Sequence, residues 1–149
     1  MARRLGSEQN EMFFQDNLSG TEICLRYRMP TTRERVGYVN ECFVRKGKKL
    51  ENRSVETRLK YGLRILTGFR TGDFEIEVDG AWVPISSDAD SEHYSKDWRA
   101  VVSDQAADLV ELLAIRVFDT SVQLADPDAV KEAGAPDDKE EEGEDLEKK

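Results

Sequence analysis

Few side chains in this sequence are spaced as catalytic or metal-binding groups are. Asp88, Asp90 and Glu92 place carboxylates at alternate positions, as at the start of a calcium-binding loop. The pattern then fails, because His93 stands where such a loop needs glycine and Arg99 stands where it needs a bidentate glutamate. His93 is the one histidine, and no nucleophile pattern accompanies it. We therefore predict no enzyme activity, no cofactor and no metal site.

Positive charge is the clearest chemical grouping in the chain. Residues 26–70 contain thirteen basic and four acidic residues, whereas residues 71–149 contain seven basic and twenty-three acidic ones. This contrast predicts either two partners or an acidic tail that screens the basic half. Nucleic-acid binding is the weaker interpretation, because the whole chain carries a net charge of −9. The candidate basic patch, for phosphates or an acidic protein surface, consists of Arg45, Lys46, Lys48, Lys49, Arg53, Arg58, Lys60 and Arg64.

Two predicted elements precede the centre of this patch. Residues 21–29 alternate apolar and polar side chains, which predicts a half-buried strand. Thr31 and Glu34 have the spacing of a capping box and begin a helix, which we expect to end at Gly47 in a basic loop. The apolar face predicted for this helix consists of Val36, Val39 and Phe43.

Residues 54–70 carry the rest of the patch. Their apolar side chains recur at steps of four, four, three and three, which predicts one stripe of a basic amphipathic helix. Residues 74–85 then read as a β-hairpin around an Asp79-Gly80 turn. Because a lone hairpin is marginally stable, we expect the strand at residues 21–29 to join it in a small three-stranded antiparallel sheet.

The last predicted helix spans residues 98–118, and its second half is apolar almost all round. Such a helix either lies in the core or buries one face against another chain, including a second copy. In the second case its interaction candidates are Val110, Ala114 and Phe118. Trp82, on the outer face of the predicted hairpin, is either a further candidate anchor for a partner or is covered by another element.

These elements predict one α+β domain over residues 21–119, with about three helices packed on the sheet. Residues 1–20 are predicted to form a flexible arm, with docking of Phe13 and Phe14 onto the domain as an alternative, and residues 120–149 a disordered acidic tail. Cys24 and Cys42 match no ligand pattern and are predicted to be free thiols in a reducing compartment. Without a signal peptide or a membrane-spanning apolar run, we expect a soluble cytoplasmic protein.

Several short segments also follow one another in a familiar order. They are Tyr27-Arg28-Met29-Pro30-Thr31-Thr32, Ile65-Leu66-Thr67-Gly68-Phe69, Gly72-Asp73-Phe74, Ile85-Ser86-Ser87-Asp88 and a closing helix from Trp98 through Ala107-Asp108-Leu109. Over residues 20–119 this order resembles that of small proteins encoded in phage and prophage tail modules, in particular tail assembly chaperones. Several such chaperones are mostly helical, whereas this sequence predicts a sheet.

The resemblance implies a non-enzymatic protein of the bacterial cytoplasm that keeps the tape measure protein soluble and recruits tail tube subunits. An apolar helix face would shield the client, and charge would tune its release. Two alternatives stay open. One is a structural neck or tail-completion protein that remains in the virion, and the other is a nucleic-acid-binding protein whose basic patch is modulated by the acidic tail.

Overall fold

A computed structural model describes residues 2–7 and 9–119 of the chain. It has the predicted α+β architecture, with helices packed on antiparallel strands. The strands are β1 (Asn10–Gln15), β2 (Glu22–Tyr27), β3 (Phe43–Lys46), β4 (Lys49–Asn52), β5 (Leu66–Phe69), β6 (Glu75–Val78) and β7 (Ala81–Pro84). The helices are α1 (Thr32–Cys42), α2 (Ser54–Ile65), α3 (Trp98–Gln105) and α4 (Ala107–Ala114), which continues as a π-helical segment over Ile115–Asp119.

The main sheet has three antiparallel strands in the order β1-β2-β5. The predicted strand count is confirmed, but the predicted membership is wrong, because the hairpin does not join this sheet. β1 comes from the arm that was predicted to be flexible, and Phe14 anchors it by packing into the core. In the central strand Ile23 and Leu25 are buried, as the alternation predicted, but Cys24 on the opposite face is buried as well.

The third strand, β5, replaces the end of the predicted helix over residues 54–70. α2 ends at Ile65, and the chain then pairs with β2. Leu66 and Phe69 are fully buried in the strand. Their spacing of three residues is therefore compatible with a strand as well as with a helix. Gly68 allows close approach of Ser87, whose Oγ accepts a hydrogen bond from the Phe69 N–H at 2.9 Å.

The basic loop predicted around Gly47 is a β-hairpin, formed by β3 and β4. Gly47 has φ of +63° at the first position of the two-residue turn, a conformation that favours glycine. α1 therefore ends at Cys42, and Phe43 belongs to β3 rather than to the helix.

The hairpin predicted at residues 74–85 is present as β6 and β7, with the predicted register of Ile76 opposite Val83. Asp79 and Gly80 both have positive φ, as a type I′ turn requires. This hairpin forms its own two-stranded sheet. It packs against the main core through Phe74 and Ile76.

The long helix predicted at residues 98–118 is divided at Ala106 into α3 and α4. α4 crosses α2 so closely that a Cβ on Gly62 would lie 2.6 Å from the Val110 carbonyl oxygen. Val110 and Leu113 are fully buried at this crossing. The last helical stretch therefore belongs to the core.

α1 is attached through a separate small cluster of buried side chains. The Tyr38 ring stacks on Phe118 with centroids 4.5 Å apart, and Tyr61 meets both rings edge-on. Cys42 is buried in the same cluster. Two clusters, rather than one, hold this domain together.

Within the described residues, no helix has the length and apolar character needed to cross a membrane. Cys24 and Cys42 are buried and unbonded. The predicted acidic tail at residues 120–149 lies outside the described residues.

Candidate protein-binding surfaces

The face of α1 that the sequence predicted to be packed is exposed to solvent. Val36, Val39 and Phe43 are 54%, 68% and 52% exposed, so the expectation that they form the packed face is wrong. Tyr38 and Cys42 point into the core instead. The Tyr38 ring stacks on Phe118, and this contact buries more apolar surface than the side chains of two valines would. The result is a row of apolar side chains in water.

This row continues onto the β3–β4 hairpin. Phe43 and Arg45 are two residues apart in β3 and so lie on one face of the hairpin, and Leu50 stands directly opposite Arg45. Leu50 is 63% exposed. We call Val36, Val39, Phe43 and Leu50 the apolar stripe.

Several members of the predicted basic patch are already held within the fold. Glu51 binds both Arg53, at 2.5 Å, and Lys46, at 3.5 Å, and the hydrogen bond from Arg53 lowers the pKa of Glu51. Lys60 pairs with Glu41 at 2.8 Å. These cations are partly neutralised where they stand.

Two further members of the patch contact aromatic rings or lie partly buried. Arg64 lies over the Tyr61 ring at 4.8 Å from its centroid. Arg58 is half-buried, and its Nε has no hydrogen-bond partner among the described residues. The ring that Arg64 covers belongs to its own helix, α2.

The remaining three cations of the patch are open. Arg45, Lys48 and Lys49 are exposed and have no ion-pair or hydrogen-bond partner within residues 2–7 and 9–119. Arg45 lies on the face of the hairpin that carries Phe43 and Leu50, Lys48 is in the turn, and Lys49, which stands opposite Lys46, points to the other face. We call Arg45 and Lys48 together with the apolar stripe the cationic face.

Trp82 is exposed, so the alternative that another element covers it is wrong. It is 66% exposed on the outer face of β7. Its cross-strand partner is Glu77, and Glu75 stands opposite Pro84 on the same face. Neither carboxylate has an ion-pair partner in the part of the chain that the structure describes. We call Glu75, Glu77, Trp82 and Pro84 the anionic face.

Three other interaction candidates are not available to a partner. Val110 and Ala114 are fully buried, so their prediction as an interface is wrong. Phe118 is half-buried in the stack on Tyr38. These α4 side chains are buried by packing against α2 and the Tyr38 cluster, so they cannot form an interface.

An open cleft that the sequence did not indicate lies between the β1–β2 turn and α4. Leu18 and Leu112 are exposed beside it, and Asp16, Asp108 and Glu111 add negative charge. The signal was weak, because a single leucine in a polar turn resembles ordinary surface.

Charge-assisted hydrogen bonds fix the N-terminus of α1. The Arg28 guanidinium donates to both Glu34 carboxylate oxygens, at 2.8 and 2.7 Å, and the Thr31 N–H donates to Glu34 at 2.9 Å. These bonds, with that from Arg28 the strongest, lower the pKa of Glu34 to about 2. The Glu34 N–H in turn donates to Thr31 Oγ1, which confirms the predicted capping box.

Residues at the C-terminal end of the described chain also hold α1 in place. Tyr38 donates a hydrogen bond to the Asp119 carboxylate at 3.1 Å, and burial raises the pKa of Tyr38 to about 12. Arg35 donates to the Val117 carbonyl oxygen at 3.2 Å. α1 therefore presents its stripe from a fixed position.

The acidic loop that resembles a calcium site is used differently. Asp88 lies 3.6 Å from the Arg26 guanidinium, and its N–H donates to Ser86 Oγ. Among residues 2–7 and 9–119, no group of three or more His, Cys, Asp or Glu side chains is arranged to hold a metal ion.

Comparison with protein-family models, with curated proteins and with solved structures finds no match to this chain. The surfaces described above are therefore interpreted from their chemistry. Covering exposed apolar side chains with a partner lowers the free energy of the complex. Unpaired charges favour a partner surface of the opposite charge. Both properties occur together on the cationic face and on the anionic face.

Proposed function

We propose that this protein is a non-catalytic binding module that acts as an assembly chaperone in a phage or prophage tail module. It holds a tail component through the cationic face. The observation that carries the proposal is the apolar stripe, four large side chains that each leave more than half of their surface in water. Contiguous exposed apolar surface of this kind marks protein interaction sites.

The partner that fits the cationic face is a protein segment with apolar and acidic side chains. An amphipathic helix satisfies both conditions, because its apolar face would lie along α1 while acidic residues meet Arg45 and Lys48. The resemblance of the sequence to tail assembly chaperones supports the long helices of the tape measure protein as that client.

The size of the stripe favours a reversible complex. Covering four half-exposed side chains contributes roughly 4–6 kcal/mol. That gain is of the same order as the cost of association, so the surface alone gives weak to moderate binding. The cations then add steering and salt dependence. A chaperone that must release its client needs this combination.

Co-expression with the tape measure protein of the same tail module tests the proposal. The wild-type chain should keep the client in the soluble fraction, and Val39→Glu with Leu50→Glu should lose that effect while the variant itself stays folded. Leu18→Glu, at a position 92% exposed but outside the cationic face, is the matched control and should keep the client soluble. A client equally soluble with all three chains would contradict the proposal.

Two other functions use the same surface and give different results. A structural part of the virion would be found in purified particles in fixed copy number, whereas a chaperone would be absent from them. A nucleic-acid-binding protein would bind DNA with an affinity that falls steeply with salt. Because Lys46, Arg53 and Lys60 are already paired with carboxylates, we expect little DNA binding.

A further inference from the structure

We infer that the anionic face of one copy binds the cationic face of a second copy, so that copies associate head to tail. The inference rests on the proposed function, because it uses the same cationic face. It deepens that function by naming a second partner for this face. Both surfaces belong to the same chain, and each has the charge that the other lacks.

The two faces match in construction. Each is the outer face of a two-stranded antiparallel hairpin with four-residue strands. On one, Arg45 stands opposite Leu50; on the other, Glu77 stands opposite Trp82. When the hairpins meet face to face, the carboxylate can pair with the guanidinium while the two apolar side chains cover each other.

The charges on both faces also lack partners inside the fold. Arg45 and Lys48 are unpaired on one hairpin, and Glu75 and Glu77 are unpaired on the other, within the residues that the structure describes. Elsewhere on the surface, pairs such as Lys60 with Glu41 and Arg28 with Glu34 are formed. The exposed cations of β3–β4 and the exposed carboxylates of β6–β7 are therefore available to pair with each other across an interface.

Trp82 gives the anionic face an advantage over the chain's own acidic tail as the occupant. The most acidic run of the tail, residues 137–147, contains one apolar side chain, Leu146. That run can neutralise cations, but it offers little to cover Phe43 and Leu50. A large aromatic ring flanked by two carboxylates satisfies both the apolar and the charged part of the cationic face.

The geometry of the assembly follows from the use of two different faces. Because each copy contributes its cationic face to one neighbour and its anionic face to another, the interface is heterologous. Such contacts give open chains or closed rings, and they do not stop at a two-fold dimer. This difference is the basis of the test.

Sedimentation velocity on the full chain, without any client and at low salt, tests the inference. The variant Arg45→Gln/Leu50→Gln retains only the anionic face, and Glu77→Gln/Trp82→Gln retains only the cationic face. Wild type should form species that grow with concentration and shrink at high salt. Each variant alone should sediment as a monomer, and an equimolar mixture should form 1:1 dimers and nothing larger.

The control variant Leu18→Gln/Glu92→Gln removes one exposed leucine and one exposed carboxylate outside both faces, and it should assemble like wild type. A monomeric wild type overturns the inference, as does a mixture of the two variants that stays monomeric. Variants that still self-associate alone also overturn it, because another surface then makes the contact. The client solubility assay is read independently of these outcomes. Failure of self-association and failure of the proposed function are therefore distinguishable.

Discussion

The two hairpins of this protein have the same strand and turn lengths and opposite chemistry. β3–β4 and β6–β7 each have four-residue strands, a two-residue turn and an exposed apolar outer face. The first displays Arg45 beside Leu50, and the second displays Glu77 beside Trp82. Turn glycines and inward side chains fix the backbone, so the outer positions are free to carry charge. Shape here is determined by one set of residues and recognition by another.

The hairpins differ in how they are attached. β6–β7 packs on the main core through Phe74, whose ring lies 4.8 Å from that of Phe69. β3–β4 extends from α1, which depends on the smaller cluster of Tyr38, Tyr61 and Phe118. The cationic region therefore has the weaker attachment, and we expect it to open first.

The largest expected effect separates core positions from the apolar stripe. Val110→Glu places a carboxylate in a fully buried site and should lower the free energy of unfolding by roughly 4 kcal/mol or more, measured by urea denaturation. Val39→Glu, the same substitution on the exposed stripe, should change it by about 0.5 kcal/mol or less. Equal losses in the two variants would show that the stripe is packed.

The next effect tests the separate attachment of the two hairpins. Phe118→Ala should cost about 2–3 kcal/mol, and amide hydrogen exchange should accelerate in α1 while β6–β7 is unchanged. Phe74→Ala is the matched variant, with acceleration expected in β6–β7 and not in α1. Uniform acceleration in both variants would mean that the domain opens as one unit.

A pH-dependent effect is expected at the start of α1. Glu34 has a folded pKa of about 2, below its ordinary value of 4.5, so it favours the folded state fully above pH 4.5 and loses this contribution as pH falls toward 2. Glu34→Gln should cost about 1–2 kcal/mol at neutral pH and much less near pH 2. The control is Glu56→Gln, at an exposed position of α2. A cost for Glu34→Gln that does not vary with pH would contradict the assignment.

The smallest effect compares the two turns. Gly47 and Gly80 have φ of +63° and +82°, and no atom would contact a Cβ added at either position. Alanine at each should therefore cost about 1 kcal/mol from backbone strain alone. Thermal unfolding of both variants checks this, and a much larger loss for one of them would reveal tertiary packing at that turn.

Local signals predicted part of this fold correctly. Asp79-Gly80 identified its hairpin, and Thr31 with Glu34 identified the start of α1, because each needs only neighbouring residues. The turn at Gly47 has an equally local signal, a glycine at the first turn position, but the surrounding lysines favoured a loop. Leu66 to Phe69 fit a helix and a strand alike, and pairing with β2 decided between them.

The binding surfaces depended on tertiary contacts that sequence patterns do not contain. Val36 and Val39 have core-like spacing, yet the stacking of Tyr38 on Phe118 rotates them outward. Val110 looked equally suited to an interface until α2 covered it. Hairpin alternation placed Trp82 on the outer face, but whether another element covered that face depended on tertiary packing.

Exchanging the charges of the two hairpins tests the central claim most directly. Light scattering on the full chain would compare wild type with Arg45→Glu, Glu77→Arg and the double variant at low salt. We expect each single substitution to reduce the assembled species to monomer, because like charges then face each other, and we expect the double variant to restore assembly. A double variant as monomeric as the single ones would show that Arg45 and Glu77 do not meet across an interface.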